Sequence, residues 1–189
     1  MLKKADLKKF KEIYRKHIVK DFPREERSSL NNFKKRIKNK NEDVFVFVEN
    51  NKEKAYTIIA NLENDYILIS FLAVFEEYRS QGIGTKLLEE IEDKFKNKKG
   101  IILEVESPED ANDEKDKSIR EKRIKFYKKS NYQILKNTKI YFGNIAFNIM
   151  LLNNKDNIDE KEISKSLNDF YTRTFKRYDK TLIFRVMEE

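Results

Sequence analysis

Residues 71–88 read Phe71–Leu72–Ala73–Val74–Phe75–Glu76–Glu77–Tyr78–Arg79–Ser80–Gln81–Gly82–Ile83–Gly84–Thr85–Lys86–Leu87–Leu88. A strand-like run enters a short polar loop and passes straight into a helix whose first turn holds two glycines. Unpaired N–H groups at a helix start, with no Cβ in the way, form a cradle for phosphate. Arg79 adds a fixed positive charge there. Further on, Ile101–Ile102–Leu103–Glu104–Val105–Glu106 sets Ile102, Glu104 and Glu106 on one face of a strand, by its period of two. A carboxylate inside an otherwise apolar strand is costly unless it lines a polar cleft. Partial burial would raise its pKa toward a value useful for a base. The plainer alternative is a Glu turned to solvent or bonded to a backbone amide. A helix end, Arg123–Ile124–Lys125–Phe126–Tyr127–Lys128–Lys129–Ser130–Asn131–Tyr132, carries Tyr127, a proton donor if it faces a reaction and a packing residue if it does not.

The elements that position these groups follow from hydrophobic period. Residues 4–19 predict an amphipathic helix through Leu7, Phe10, Ile13, Tyr14 and Ile18, with His17 in its last turn as a helix-end or surface residue. Pro23 disfavours helical geometry at Phe22, and Ser28 or Ser29 then caps a helix carrying Leu30, Phe33 and Ile37. Residues 44–48, 55–62 and 66–74 predict three strands joined by short turns, hence an antiparallel meander. A helix over 82–98 uses Ile83, Leu87, Ile91 and Phe95, and Gly100 suits the chain reversal after it. The strand–helix–strand order around it implies a parallel pairing. A polar stretch, 107–117, precedes a helix at about 118–130 with Asn131 as its left-handed exit. Two strands follow, 132–142 and 145–152, turning at Gly143–Asn144. Beyond a boundary at 153–155, Ile158, Ile163, Leu167, Phe170 and Phe175 predict a helix, and 181–186 a last strand. The domain is expected to occupy 1–152, with 153–189 packed on it or at a dimer contact.

Composition narrows the chemistry. The 189 residues contain no Cys and a single His, which excludes thiolate nucleophiles, zinc–thiolate sites and a histidine relay. With 41 Lys+Arg against 33 Asp+Glu the net charge is +8, which favours polyanionic ligands. Most Lys is interleaved with Glu, Asp and Asn on solvated faces, and no RNA- or DNA-binding motif is present, so a nucleic-acid role is the weaker reading. The Met1–Leu2–Lys3–Lys4 start lacks an apolar signal region, and no apolar run approaches the roughly 20 residues of a membrane span. No membrane association and a cytoplasmic location are expected.

Three phosphate-loop patterns compete for residues 79–86. Gly82–Ile83–Gly84–Thr85–Lys86 lacks the G-x-x-x-x-G-K-[ST] spacing. In a G-x-G-x-x-G fingerprint Leu87 would stand at the third glycine, although Glu104 lies at the distance of a ribose-binding acid. Arg79-x-x-Gly82-x-Gly84 fits [QR]-x-x-G-x-[GA]. With Leu72–Ala73–Val74 before it and Thr85–Leu88 after it, the stretch resembles motif A of the GNAT superfamily of N-acetyltransferases. The order of elements over 1–152 is similar to that family's domain, with Leu2–Lys3–Lys4–Ala5 a very short candidate for the usual first strand.

The resemblance implies an α/β (α+β) fold: a central mixed, mostly antiparallel sheet, splayed between strands 4 and 5, flanked by helices, plus a C-terminal helical extension. It implies acetyl-CoA as co-substrate, no metal, and acetyl transfer to a primary amine of a small molecule, peptide or protein, by a monomer or homodimer. Backbone N–H groups of Gln81, Gly82, Ile83, Gly84 and Thr85, with Arg79, would hold the pyrophosphate, while Leu72 and Val74 pair with the pantetheine arm. Leu103–Glu104–Val105 resembles the strand of ribosomal-protein N-terminal acetyltransferases whose Glu is the base. Phe126–Tyr127 resembles the family's F-Y-x-x-x-G-[FY] helix end, whose Tyr is the general acid, with Asn131 replacing the glycine. Glu106 is a second candidate base or amine ligand, and the loop holding Phe22 and Glu25 would rim the acceptor. The 107–117 stretch is longer than in those relatives and is either a solvated loop or an acidic rim. The alternative reading is a non-catalytic CoA-binding module acting as sensor or assembly part.

Overall fold

Each change of hydrophobic period along the chain becomes a change of element. A computed structural model describes residues 1–24, 27–142, 145–154, 158–178 and 184–188. The Gly143–Asn144 turn, Thr181–Ile183 and the side chain of Phe175 lie outside the described residues. The chain forms two compact units, Met1–Asn61 with Ile69–Lys94, and Leu62–Leu68 with Phe95–Glu189.

In the first unit, β1 (Leu2–Lys4), β2 (Glu42–Glu49) and β3 (Lys52–Asn61) pair antiparallel in that order, followed by β4 (Tyr66–Val74) from Ile69 onward. The turn between β2 and β3 puts Asn50 and Asn51 at φ 52° and 58°, left-handed geometry that Asn tolerates and tight hairpins require. The helix expected from residue 4 begins later, at α1 (Leu7–Ile13), because Asp6 accepts the Lys9 N–H at 2.7 Å and caps it. It continues through a wider π-type turn, Tyr14–Ile18, into α2 (Val19–Asp21), and stops where Phe22 turns extended before Pro23. Of the two candidate caps of α3 (Leu30–Lys38), Ser29 accepts the Asn32 N–H, whereas Ser28 is buried and accepts from Arg36 at 2.9 Å. Phe10, Ile13, Ile18, Phe33, Val44, Val46, Tyr56 and Ile58 fill this unit's core. The last element, α4 (Ile83–Phe95), buries Ile83, Leu87, Leu88 and Ile91, the i, i+4, i+5, i+8 stripe of an amphipathic helix.

In the second unit, Tyr66–Leu68 of β4 neighbours β5 (Gly100–Glu106) in the parallel sense. The chain continues through α5 (Glu114–Lys129), β6 (Gln133–Phe142), β7 (Ile145–Asn153), α6 (Glu160–Tyr178) and β8 (Phe184–Glu188). The strand order is β5-β7-β6-β8, every pair antiparallel. The fold is therefore the mixed, mostly antiparallel α/β arrangement expected, and β4 changes unit after Leu68.

Two local expectations are corrected. Gly100 is not a reversal residue but the first of β5, where a Cβ would stand 2.7 Å from Leu151 Cδ1 and 3.0 Å from the Leu152 carbonyl oxygen. Close approach of strands, not a turn, is what needs glycine there. α5 starts four residues before the expected 118, because Asp113 accepts the Asp116 N–H at 2.7 Å and caps a first turn that is polar all round. The exit at Asn131 is as expected: φ is 63°, and Tyr132 N–H returns to the Tyr127 carbonyl at 3.2 Å. The tail belongs to the second unit, where Ile163, Leu167 and Phe170 of α6 are buried and β8 pairs with β6.

Candidate active site

In the first unit, β4 ends in a short helical turn, Glu76–Tyr78, and the chain reaches α4 through two left-handed residues, Ser80 at φ 61° and Gly82 at φ 74°. That alternation turns consecutive N–H groups toward one side, and the first N–H groups of α4 have no partner within the helix. Gln81, Gly82 and Thr85 are exposed, and Gly84 is half-buried. A Cβ added at Gly82 would meet nothing within 4 Å, so the space beside this backbone is open to a ligand. The residues present thus fit a phosphate group. Ile83 is buried, so only its backbone can serve, and the Gln81 amide folds back to donate to the Glu77 carbonyl at 2.9 Å.

Arg79, expected as a fixed positive charge at the loop, is held by partners within its own unit. Its Nε donates to the Val74 carbonyl at 3.1 Å and its Nη2 to Asp21 at 2.7 Å. Asp21 also accepts the Tyr56 hydroxyl at 3.0 Å, so the loop is tied to the end of α2 and to the core. The tie also occupies the carbonyl of Val74, one of the two β4 residues expected to pair with a ligand. Leu72 is half-buried beside it. Phe22, expected at an acceptor rim, packs edge-on against Phe71 with ring centroids 4.8 Å apart, while Glu25 lies outside the described residues. His17 lies near the helix end, half-buried as its ring stacks on Phe75 at 3.9 Å, and burial holds its pKa below the usual value.

In the second unit, Glu104 sits mid-strand on β5 opposite Ile149 of β7. Burial pushes its pKa from 4.5 up to about 7, against the opposing effect of the Tyr171 hydroxyl, which donates to its Oε1 at 2.6 Å. Glu106, the other candidate, is engaged as a structural ion: Arg123 bonds it directly, and Arg120 lies 3.6 Å away. Arg120 is itself 5% exposed and bonds Asp116 and the Ser107 carbonyl, which locks α5 to the end of β5. Breaking such a network strands a buried charge, and both Glu106 oxygens face arginines of α5. Tyr127 is buried on α5, edge-on to Tyr132 at 6.1 Å, and no described residue bonds its hydroxyl. Burial raises its pKa, with Arg123 pulling the other way, so the hydroxyl keeps its proton at neutral pH.

The chain thus holds in one unit an exposed glycine loop whose helix-start N–H groups fit an anion, and in the other a carboxyl whose pKa burial raises and a protonated phenol. A family model described as an acetyltransferase (GNAT) domain matches residues 40–134, just over half of the chain. The chain belongs to the GNAT acetyltransferase family. No curated protein sequence matches it. Among solved structures, the GNAT domain is similar to one from Bacteroides thetaiotaomicron assigned to the same family, at 15% identity and TM-score 0.69, covering 94% of this chain and 98% of that one. It is also similar to the ribosomal-protein-S18-alanine N-acetyltransferase of Escherichia coli, at 18% identity and TM-score 0.61, covering 84% and 96%. A third likeness, at 14% identity and TM-score 0.58, is to an aminoglycoside 6′-N-acetyltransferase complexed with coenzyme A, covering 84% and 99%.

Three residues of this GNAT family member escaped sequence reasoning: Asp21, Arg120 and, in the tail, Tyr171. Tyr171 left the clearest signal. It continues the Ile163–Leu167–Phe170 stripe of α6 as the i+8 member, and a hydroxyl on an apolar stripe calls for a polar partner. Among the described residues no helix is long and apolar enough to cross a membrane, and no group of three or more His, Cys, Asp or Glu gathers as metal ligands.

Proposed function

We propose that this protein is an N-acetyltransferase that moves an acetyl group from acetyl-CoA to a primary amine of a small molecule, peptide or protein. The backbone N–H groups of Gln81 to Thr85 hold the pyrophosphate, Gly82 leaves room for it, and Leu72 and Val74 of β4 flank the pantetheine arm. Acetyl-CoA supplies an activated thioester carbonyl. Glu104 accepts the proton that an ammonium acceptor must lose before its nitrogen can attack, and Tyr127 holds the proton that the departing sulfur requires.

The observation that carries this reading is the place of Glu104, mid-strand on β5 with one carboxyl oxygen held by the Tyr171 hydroxyl at 2.6 Å, where burial pushes its pKa up to about 7. A base is most effective when its pKa lies near the working pH. Glu106, already paired with Arg120 and Arg123, stays a structural ion. In domain terms, residues 1–152 carry the cofactor loop and both proton-handling residues, and the tail reaches Glu104 through Tyr171.

CoA release measured with a panel of amines tests the reading. Turnover by the wild-type protein that falls on Glu104→Gln while CoA binding persists is the expected result. Tight CoA binding with no turnover on any amine would instead establish a non-catalytic CoA-binding module.

A further inference from the structure

The C-terminal helix reaches the candidate base directly. Tyr171 of α6 is 4% exposed, and its ring is gripped edge-on by Phe142 at 5.2 Å and Phe170 at 5.1 Å. Its hydroxyl donates to Glu104 Oε1 at 2.6 Å across 67 residues of sequence, a length typical of a hydroxyl bonded to a carboxylate. α6 is itself held along its length. Glu160 accepts the N–H groups of Lys136 and Asn137 in the irregular part of β6, at 3.3 and 2.9 Å. Glu162 accepts from Lys99 at 2.8 Å and from the Tyr66 hydroxyl at 3.3 Å, and Arg173 pairs with Glu63 at 2.9 Å. The hydroxyl is therefore delivered by a packed helix rather than by a mobile loop.

Apolar packing alone would be served as well by phenylalanine, so the hydroxyl is the informative atom. Among the described residues no group bonds Oε2 of Glu104. One carboxyl oxygen is held, and the other keeps its lone pairs for a proton. The charged neighbours are matched elsewhere. Glu106 is paired with Arg120 and Arg123 of α5, and Arg173 of α6 with Glu63. On β7 the residues opposite, Asn148, Ile149 and Met150, are uncharged. Asp169 of α6 is half-buried two residues from Tyr171, and Tyr127 of α5 remains protonated. Burial and the Tyr171 hydroxyl are then the two influences acting on Glu104.

We propose that Tyr171 is the positioning residue for the Glu104 carboxylate, so that the tail of this chain completes a base supplied by β5. The inference rests on Glu104 being the proton acceptor of the proposed function. A donated O–H bond favours the ionised carboxylate. Its loss should leave Glu104 harder to ionise.

The test is Tyr171→Phe in the full chain, with two readouts. Carbon-13 NMR of glutamate-labelled protein follows the side-chain carboxyl of Glu104, assigned by its disappearance in Glu104→Gln. The pH dependence of kcat/KM is measured with an amine that the wild type acetylates. The expected result is a titration midpoint moved to higher pH, the acid limb of kcat/KM moved with it, and a loss of roughly tenfold at pH 6 that shrinks at pH 9. Leu167→Ala, which disturbs packing on the same helix but removes neither ring that grips Tyr171, should lower stability without moving the midpoint. An unmoved midpoint in folded Tyr171→Phe protein overturns the role of Tyr171. A midpoint that moves while the acid limb stays put overturns its action through the base. A wild-type protein that acetylates no amine defeats the base assignment itself, and that failure is read in the wild-type arm alone.

Discussion

Replacing Glu104 by Gln should make the protein more stable and less active, and the gain in stability should depend on pH. The carboxyl has a pKa of 4.5 when free and about 7 in the fold, chiefly through burial. Between those values the folded state binds more protons than the unfolded state, so stability falls as pH rises through the window. The full cost of holding the ionised group is roughly 3 kcal/mol, at about 1.4 kcal/mol for each tenfold change in proton affinity. This is an upper figure, because the residue is only half-buried and water reaching it would lessen the cost. Gln has the same shape, carries no charge, and keeps an oxygen that can accept the Tyr171 hydroxyl. Urea unfolding of both proteins should therefore give nearly equal stabilities at pH 4.5 and a gain for Glu104→Gln approaching roughly 3 kcal/mol at pH 8. Over the same comparison kcat/KM should fall by about 10²-fold or more, the contribution expected of a positioned base. An equal gain at both pH values would trace the effect to packing. A variant less stable than wild type at pH 8 would refute the burial argument.

Gly82→Glu should weaken CoA binding by more than about tenfold, or about 1.4 kcal/mol, because it forces a side chain into φ 74° and sets a negative charge beside the cradle; calorimetry that gives an unchanged affinity in folded protein would remove the loop from the cofactor site. Tyr127→Phe should retain the fold and CoA affinity while kcat drops roughly 10²-fold, and an unaffected kcat would make Tyr127 a packing residue only. Leu167→Ala removes a side chain with no exposure on α6, so chemical denaturation should report a loss of about 2–5 kcal/mol. CoA affinity should be kept in that variant, since the loop belongs to the other unit.

Much of this chain was legible because the signals are local. The short turn at Asn50–Asn51, the extended Phe22 before Pro23, a serine cap at Ser28 or Ser29 (the structure uses Ser29) and the left-handed Asn131 exit each follow from one or two residues acting on their own backbone. The strand–loop–helix around Gly82 is local as well, and its motif was enough to point to the family that the match over 40–134 then established. Where local reading failed, the cue was local but weak: α5 has no apolar stripe in its first turn, and only Asp113 marks its start.

Period and motif state which face a residue occupies but not what stands opposite it. The alternation of β5 put Glu104 and Glu106 on one face, yet it could not say that Arg120 and Arg123 would claim one and Tyr171 the other. Nor could it say that Arg79 would spend its charge on Asp21, 58 residues away, or that Gly100 was needed for a close strand contact rather than a turn. These outcomes depend on which distant side chains share a desolvated space. Burial there sets whether a carboxylate is paired, neutral or poised near neutrality. The sequence by itself determined the main elements, their order and the glycine loop before α4; tertiary packing alone decided which of two similar glutamates is tied to arginines and which accepts only the Tyr171 hydroxyl among the described residues.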